Sequence, residues 1–308
     1  MKLSGVDTNE YTRAELEGFM DRYLEALIAH DPSRLHVTPD VKFTENGIPL
    51  PLGQALWRTA SGLGRYKLYA ADPKGGQVAL IGTAAENGAP VILGVRIKLE
   101  RHAYREIETV VVRNPGAAQR LDALYPPNPE WARSVHARSR GSRADLIRRA
   151  NAYLDGIERR SGEDVGFAAN CDRLENGLRT TNNPDAGWST MGAGPPAPGD
   201  PSVELFKMNC KDQFNAGMYN FITEARARRF PLVDEERGIV VAAFIFVHPG
   251  DILAIDVPGI GRIPYPQSVL RPFDTLLLEM FKIESDEIRL IDAAIYSGAF
   301  GLGSGWDP

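Results

Sequence analysis

A chain of 308 residues, 43% hydrophobic and 24% charged, has room for two domains of ordinary size and the composition of a globular protein rather than a disordered one. Its 40 acidic residues against 35 basic ones, a net charge of -5, argue against a nucleic-acid partner, which needs a basic surface to neutralise phosphates. Cys171 and Cys210 are too few for a disulfide framework and read as buried, reduced thiols of a soluble, cytoplasmic protein. Met1 to Gly5 leads into polar residues without the apolar stretch of a signal peptide, and the longest apolar run, Gly238 to Val247, is too short to span a bilayer.

Thr12 to Ala29 reads as an amphipathic helix. Thr12 and Glu15 form a capping-box pattern, Leu16, Met20, Tyr23, Leu24 and Leu27 recur at helical spacing, and His30-Asp31-Pro32 stops it. A short extended piece follows, ending in Glu45-Asn46-Gly47. Gln77 to Thr83 and Val91 to Leu99 are β-rich runs joined by the hairpin signal Glu86-Asn87-Gly88, and Ile107 to Arg113 is a third strand. Asn114 to Gly141 contains Pro115, Pro126, Pro127 and Pro129 and reads as a linker. The design then restarts. Ser142 to Arg160 is a second capped helix, Glu175-Asn176-Gly177 closes a second extended piece, and Asn182 to Pro201 is a Pro/Gly-rich loop. Cys210 to Arg228 reads as a helix, and Ile239 to Val247, Leu276 to Ile283 and Ile288 to Tyr296 as strands. Helices followed by a meander is α+β order.

The first 47 residues match the second half at a constant offset of 130, and the match then resumes at other offsets. Thr12-Arg13-Ala14-Glu15-Leu16 lines up with Ser142-Arg143-Ala144-Asp145-Leu146, and Glu45-Asn46-Gly47 with Glu175-Asn176-Gly177. Later, Asp72 with Gly76 matches Asp234 with Gly238, and Val95 to Val112 runs without a gap against Glu279 to Tyr296. This is a duplicated domain rather than a turn of a solenoid. The expected organisation is a first domain over 1–113, a linker over 114–141 and a second domain over 142–308.

Helix, Glu-Asn-Gly strand, then a curved sheet with an Asp-x-x-x-Gly turn resembles the nuclear transport factor 2-like, or SnoaL-like, superfamily. Arg228-Arg229-Phe230-Pro231, Asp234 to Gly238 and the terminal Gly301 to Trp306 resemble a tandem group within it. The resemblance implies two cones, each a bent antiparallel sheet wrapped around helices and open at one end into an apolar pocket. Members include ketosteroid isomerase, scytalone dehydratase and polyketide cyclases, beside non-catalytic binding modules, and most of the enzymes need no cofactor. Single-cone members often dimerise through their sheets. The partner here is then fused into the same chain, with a further homodimer as an alternative. The tandem arrangement is also similar to sphingomonad enzymes that release formaldehyde from lignin-derived diarylpropanes.

No short motif assigns a reaction. The five histidines lack metal-ligand spacing, and the glycines of Gly298 to Gly305 precede no helix, so neither a metal nor a nucleotide cofactor is expected. Candidates come from comparing the halves. Arg96 stands where the sister half has Met280, and a cation inside the first cone would hold an anionic or phenolic oxygen. Lys42 and Thr44 correspond to Asp172 and Leu174, and Glu45 closes the same strand. Glu106 and Glu108 share one strand face, where a carboxylate in an apolar cone would serve as general acid or base. The catalytic set is therefore Arg96, Lys42, Glu45 and Glu108, with Tyr66, Tyr69, Thr44, Lys98 and Trp57 binding substrate. Each has a plainer reading as a core or surface side chain. In the second half, Tyr153, Asn151, Arg173 and Glu175 are the polar candidates, but its apolar strands read mainly as scaffold. The expected activity is a cofactor-independent lyase on a hydrophobic aromatic substrate, with release of formaldehyde from a diarylpropane diol as its narrower form. A dehydratase, isomerase or cyclase, or a binding module, is the alternative.

Overall fold

The structure, a computed structural model, describes residues 11–192 and 194–306; the reading of Met1 to Gly5 lies outside them. Helix α1 (Arg13–Ile28) starts where expected. Thr12 accepts a hydrogen bond from the Glu15 amide, and Glu15 accepts one in return from the Thr12 amide, at 2.7 Å. The strands that follow are β1 (Val37–Glu45), β2 (Ile48–Pro49), β3 (Ala60–Asp72), β4 (Gln77–Glu86), β5 (Ala89–Glu100) and β6 (Ala103–Val112). They form one sheet in the order β2-β1-β6-β5-β4-β3.

The segment 114–141 is more than an extended linker. It carries helix α2 (Pro115–Ala123), whose Ala117, Ala118 and Leu121 are buried between the halves. Helix α3 (Arg143–Arg159) repeats the capping box with Ser142 and Asp145. Strands β7 (Phe167–Glu175) and β8 (Leu178–Arg179) come next, then short helices α4 (Trp188–Gly192), α5 (Val203–Lys207) and α6 (Cys210–Asn215). The expected helix over Cys210 to Arg228 is therefore cut short: Gly217 takes φ +83, and residues from Glu224 onward are strand. Strands β9 (Glu224–Asp234), β10 (Ile239–His248), the small hairpin β11 (Ala254–Val257) and β12 (Gly261–Pro264), and β13 (Phe273–Glu284) and β14 (Glu287–Gly298) complete the chain. The second sheet has the order β8-β7-β14-β13-β10-β9, the same as the first. Both are mixed rather than purely antiparallel, because β1 and β7 run parallel to β6 and β14.

Two curved α+β cones in tandem are therefore present, and the register makes the repeat exact in position. Thr44 pairs with Glu108, and Leu174 with Asp292; Arg96 pairs with Glu108, and Met280 with Asp292. The retained Glu-Asn-Gly has a structural cause. Asn46 and Asn176 take positive φ before Gly47 and Gly177, and each Asn side chain exchanges two hydrogen bonds with the backbone of the last long strand, Val111 and Ile295 respectively.

The outer faces of the two sheets pack on each other. Ile81, Ile92 and Val110 from the first half meet Val241, Leu278 and Ala294 from the second in one buried cluster. Gly94 is required there: a Cβ on it would meet the Ala294 Cβ at 3.1 Å and Leu278 at 3.2 Å. Reciprocal ion pairs flank the seam. Arg13 of the first half binds Asp234 of the second, and its repeat equivalent Arg143 binds Asp72, each at 2.5 Å. Residue i touching j while j's counterpart touches i's is the mark of a two-fold dimer interface, here within one chain.

Cys171 and Cys210 form a disulfide, which corrects the expectation of reduced thiols. The two lie 39 residues apart and meet only because α6 folds onto β7, a contact that spacing alone does not reveal. The pairing also withdraws the ground for a cytoplasmic reading, since disulfides persist in oxidising compartments. No helix among the described residues is long and apolar enough to cross a membrane. Reduction should add the mass of two hydrogens and lower stability by about 3–4 kcal/mol, from the closure entropy of a loop of this length. An unreduced protein that already titrates two free thiols would refute the bridge.

A second buried group also has a measurable consequence. Asp292 faces the seam, accepts the Tyr66 hydroxyl at 2.9 Å, and keeps its other oxygen without a partner. Burial pushes its pKa up to about 7 from 3.8. A folded-state pKa above the unfolded one means that folding takes up a proton. Its favourable contribution is thus complete below pH about 4 and is lost as pH rises towards 7. Asp292→Asn should therefore gain stability relative to the parent across that window, by roughly 1.4 kcal/mol per pH unit at most. A stability difference that stays flat from pH 4 to 8 would show that Asp292 does not titrate in this way.

Candidate active site

Strand alternation decides what each cone contains. In β5, Leu93, Val95 and Ile97 point into the first cone with α1, where Tyr23 meets Trp57 edge-on at 5.4 Å. Arg96 therefore points the other way, into the seam between the sheets, and the expectation that it lines the first cone is corrected. Glu108, Lys98, Lys42 and Thr44 share that outward register. Several of these residues do meet, but in an ion-pair cluster. Arg96 binds Glu108 and Glu106 at 2.8 Å each and Gln77 at 3.0 Å, while Arg229 of the second half binds Glu108 with both of its terminal nitrogens. Burial alone would raise Glu108, but the two guanidinium groups outweigh it and hold the carboxylate below the usual range. Trp306 from the terminal tail covers the cluster. Its indole N–H donates to Thr44 at 2.9 Å, with Lys42 4.4 Å and Arg96 4.8 Å from the ring centroid. Lys98 binds Glu106 at 3.3 Å.

The remaining first-half candidates have structural duties. Trp57 is core. Tyr66 holds Asp292 in the seam, and Tyr69 donates to Asp21 at 2.6 Å. Glu45 lies on the cone side but accepts the Leu56 amide and Arg113, each at 2.9 Å.

A cavity of about 470 Å³ opens in the second cone, within the usual size range of small-molecule sites. Its walls are apolar and aromatic, with Trp188, Phe221, Phe246 and Leu277 among them. The rim is not built by the second half alone: Arg113 and Asn114 at the end of β6, and Ala117 and Arg120 on α2, line it too.

The polar groups of this cavity come from four elements. Helix α3 supplies Tyr153, β7 supplies Glu175, the turn after α6 supplies Tyr219, and β13 supplies Glu279. Behind them Arg173 is fully buried. It binds Glu175 at 3.0 Å and Thr180 at 3.1 Å, and its guanidinium lies 4.5 Å from the Tyr219 ring centroid. The Tyr219 hydroxyl donates to Glu175 at 2.9 Å. Glu175 is thus an ion-paired carboxylate fixed from two sides.

Glu279 is its opposite. It is buried, bonded by Tyr153, and one of its oxygens has no partner. Burial first, and the nearby charge of Glu175 second, push its pKa well above the usual carboxylate value, against a smaller pull from Arg173. A buried carboxyl with a raised pKa beside an ion-paired carboxylate in one pocket offers a candidate acid and a candidate base. His248 at the end of β10 also lines the cavity, stacked on Phe273 at 4.0 Å. Burial lowers its pKa to about 4, so it is a neutral imidazole near pH 7, and its Nδ1 is unpartnered. Trp188 Nε1 is unpartnered as well. With Arg120, whose Nε is also unpartnered, four cavity-lining side chains have orphaned buried polar atoms and call for a ligand or water to satisfy them. Among the described residues, no group of three or more His, Cys, Asp or Glu side chains is arranged for a metal ion.

Of the second-half candidates, Tyr153, Arg173 and Glu175 come together here, whereas Asn151 binds Asp155 and Arg228. Glu279, Tyr219 and His248 escaped sequence reasoning. Glu279 was within reach: it is the repeat equivalent of Val95, a lone carboxylate in a run of Leu276, Leu277, Leu278, Met280 and Phe281.

A family model described as "Domain of unknown function (DUF8021)" matches residues 139–295, just over half of the chain. No curated protein matches. Among solved structures, an NTF2-like protein of unknown function from Cytophaga hutchinsonii is 11% identical, covering 31% of this chain and 88% of its own, with a TM-score of 0.26. An NTF2-like protein from Anabaena variabilis is 13% identical over 53% of this chain and 97% of its own, TM-score 0.28. The BvnE pinacolase from Penicillium brevicompactum is 11% identical over 50% and 88%, TM-score 0.27.

Proposed function

The chain belongs to the DUF8021 family, and we propose that its second cone is the active site of a cofactor-independent enzyme that performs acid–base chemistry on an apolar, ring-bearing small molecule. The observation that carries this reading is Glu279, a carboxyl whose pKa burial in an apolar cavity raises, beside a second carboxylate that is ion-paired with Arg173. Burying a carboxyl group costs stability, and a cavity wall that accepts this cost is best explained by use of the proton. Glu279 donates to a carbonyl or departing hydroxyl oxygen. Glu175 or the neutral His248 accepts a proton from the substrate, and Tyr153 and Tyr219, whose own pKa values burial holds far above neutrality, stay hydrogen-bond donors.

The narrower reading is a carbon–carbon lyase acting on a phenolic diarylpropane diol. Glu279 would protonate the benzylic hydroxyl, which leaves as water while the phenol gives up its proton to a base, and a quinone methide results. A base would then take the proton of the primary alcohol, the terminal carbon–carbon bond would break to release formaldehyde, and its electron pair would give a stilbene phenolate that regains its proton as the phenol.

Purified protein incubated with such a diol, and with a panel of aromatic alcohols and ketones, tests both levels. Formaldehyde and stilbene in equal amounts would support the lyase, and loss of water or isomerisation alone would support the broader reading. Retention of a panel member in native mass spectrometry without turnover would make the cavity a carrier site and sink the enzyme reading.

A further inference from the structure

The rim of this cavity carries three arginines, and they are not equivalent. Arg113 is committed, bound by Glu45 at 2.9 Å and Glu86 at 2.6 Å. Arg120 on α2 and Arg271 in the loop before β13 also line the cavity, but among the described residues neither has an acidic partner. Among the described residues Arg22, Arg58, Arg138, Arg140, Arg159 and Arg160 also lack an ion pair, but none of them lines this cavity. Arg120 is half-buried, its Nε is shielded from water without any hydrogen-bond acceptor, and burial alone lowers its pKa. An unpaired, partly desolvated guanidinium at the mouth of an apolar cavity is unfavourable unless an anion completes it. The acids of the cavity do not do so, because Glu175 is taken by Arg173 and Tyr219.

We infer that the substrate carries a carboxylate, which Arg120 and Arg271 hold at the mouth while its apolar body reaches towards Glu279. This deepens the broader acid–base reading of the same site and rests on it, and departs from the diarylpropane diol, which carries no carboxylate. It also gives the fusion a purpose: Arg120 belongs to the connector helix that the first half packs into place, so the second cone alone lacks half of its anion clamp. Guanidinium groups suit a carboxylate because their planar N–H donors match its two oxygens.

The probe is 1-naphthylacetic acid against its methyl ester and its amide, with sulfate as a competing free anion. Binding is read by quenching of tryptophan fluorescence, with Trp188 in the cavity wall, and by calorimetry. The acid should bind at least tenfold more tightly than the ester or amide, and the preference should shrink with salt. Arg120→Met and Arg271→Met should each reduce acid binding about tenfold while leaving the ester unchanged, with melting curves as the folding control. Sulfate should compete only weakly, because it lacks the apolar body. Equal binding of acid and ester overturns the anion inference but leaves the cavity reading intact. Equal loss of both ligands in the arginine variants overturns it too. Binding of none of the probes overturns both.

Discussion

Glu279→Gln is expected to reduce turnover by on the order of 10²- to 10⁴-fold, the usual worth of a positioned general acid, while leaving the melting temperature unchanged or raised. The substitution keeps the shape and one oxygen, so Tyr153 retains its partner. It removes the proton that the apolar environment secures and the cost of confining an ionisable group there. The pH profile gives a sharper test than the rate. With Glu279 as the acid, its protonated form is active, so activity falls as pH rises through its raised pKa, and that descending limb disappears from the residual activity of the variant. Glu175→Gln should act differently. It leaves Arg173 buried without its anion and removes the neighbouring charge that helps keep Glu279 protonated, so it should lower both stability and activity. A Glu279→Gln enzyme with full activity and an unchanged pH profile would move the chemistry out of this cavity.

Much of the architecture was legible before any coordinates. The offset of 130 residues, the paired capping boxes and the two Asn-Gly turns record a duplicated unit, because each of these features has a local physical cause that acts the same way twice. The site was less legible for one reason. In a cone that stays monomeric the outer face of the sheet meets water, so a charge on a strand can be assigned by alternation. Here both faces are buried, and Ile92, Gly94 and Arg96 look no more exterior than Leu93, Val95 and Ile97. The contrast between Arg96 and Met280 was real but reported on the seam. The contrast one position earlier, Val95 against Glu279, reported on the cavity. The disulfide and the contribution of α2 to the rim were not legible at all, since both depend on contacts between segments distant in the chain.

Arg96→Met is expected to destabilise the protein by about 3–5 kcal/mol, the usual consequence of removing one partner from a buried ion pair. As a direct participant in a reaction Arg96 would instead have left the melt unchanged on substitution. Glu108 is fully buried, and without Arg96 it keeps only Arg229, while Glu106 and Gln77 each lose a donor at 3 Å or less. The indole of Trp306 would lose one of the cations packed around it, so the terminal tail should loosen as well. Met fits the sister position because the residue across from Met280 is Asp292, whose raised pKa lets it sit neutral without a cation, whereas Glu108 is held ionised. Arg96→Met combined with Glu108→Gln should therefore recover part of the loss, leaving Arg229 as the residual unpaired charge, and the double-mutant cycle should show a favourable coupling of a few kcal/mol between positions 96 and 108. Turnover in the second cone, measured well below the lowered melting temperature, should stay within a few-fold of the parent. A variant that melts like the parent but has lost its activity would return Arg96 to the reacting site.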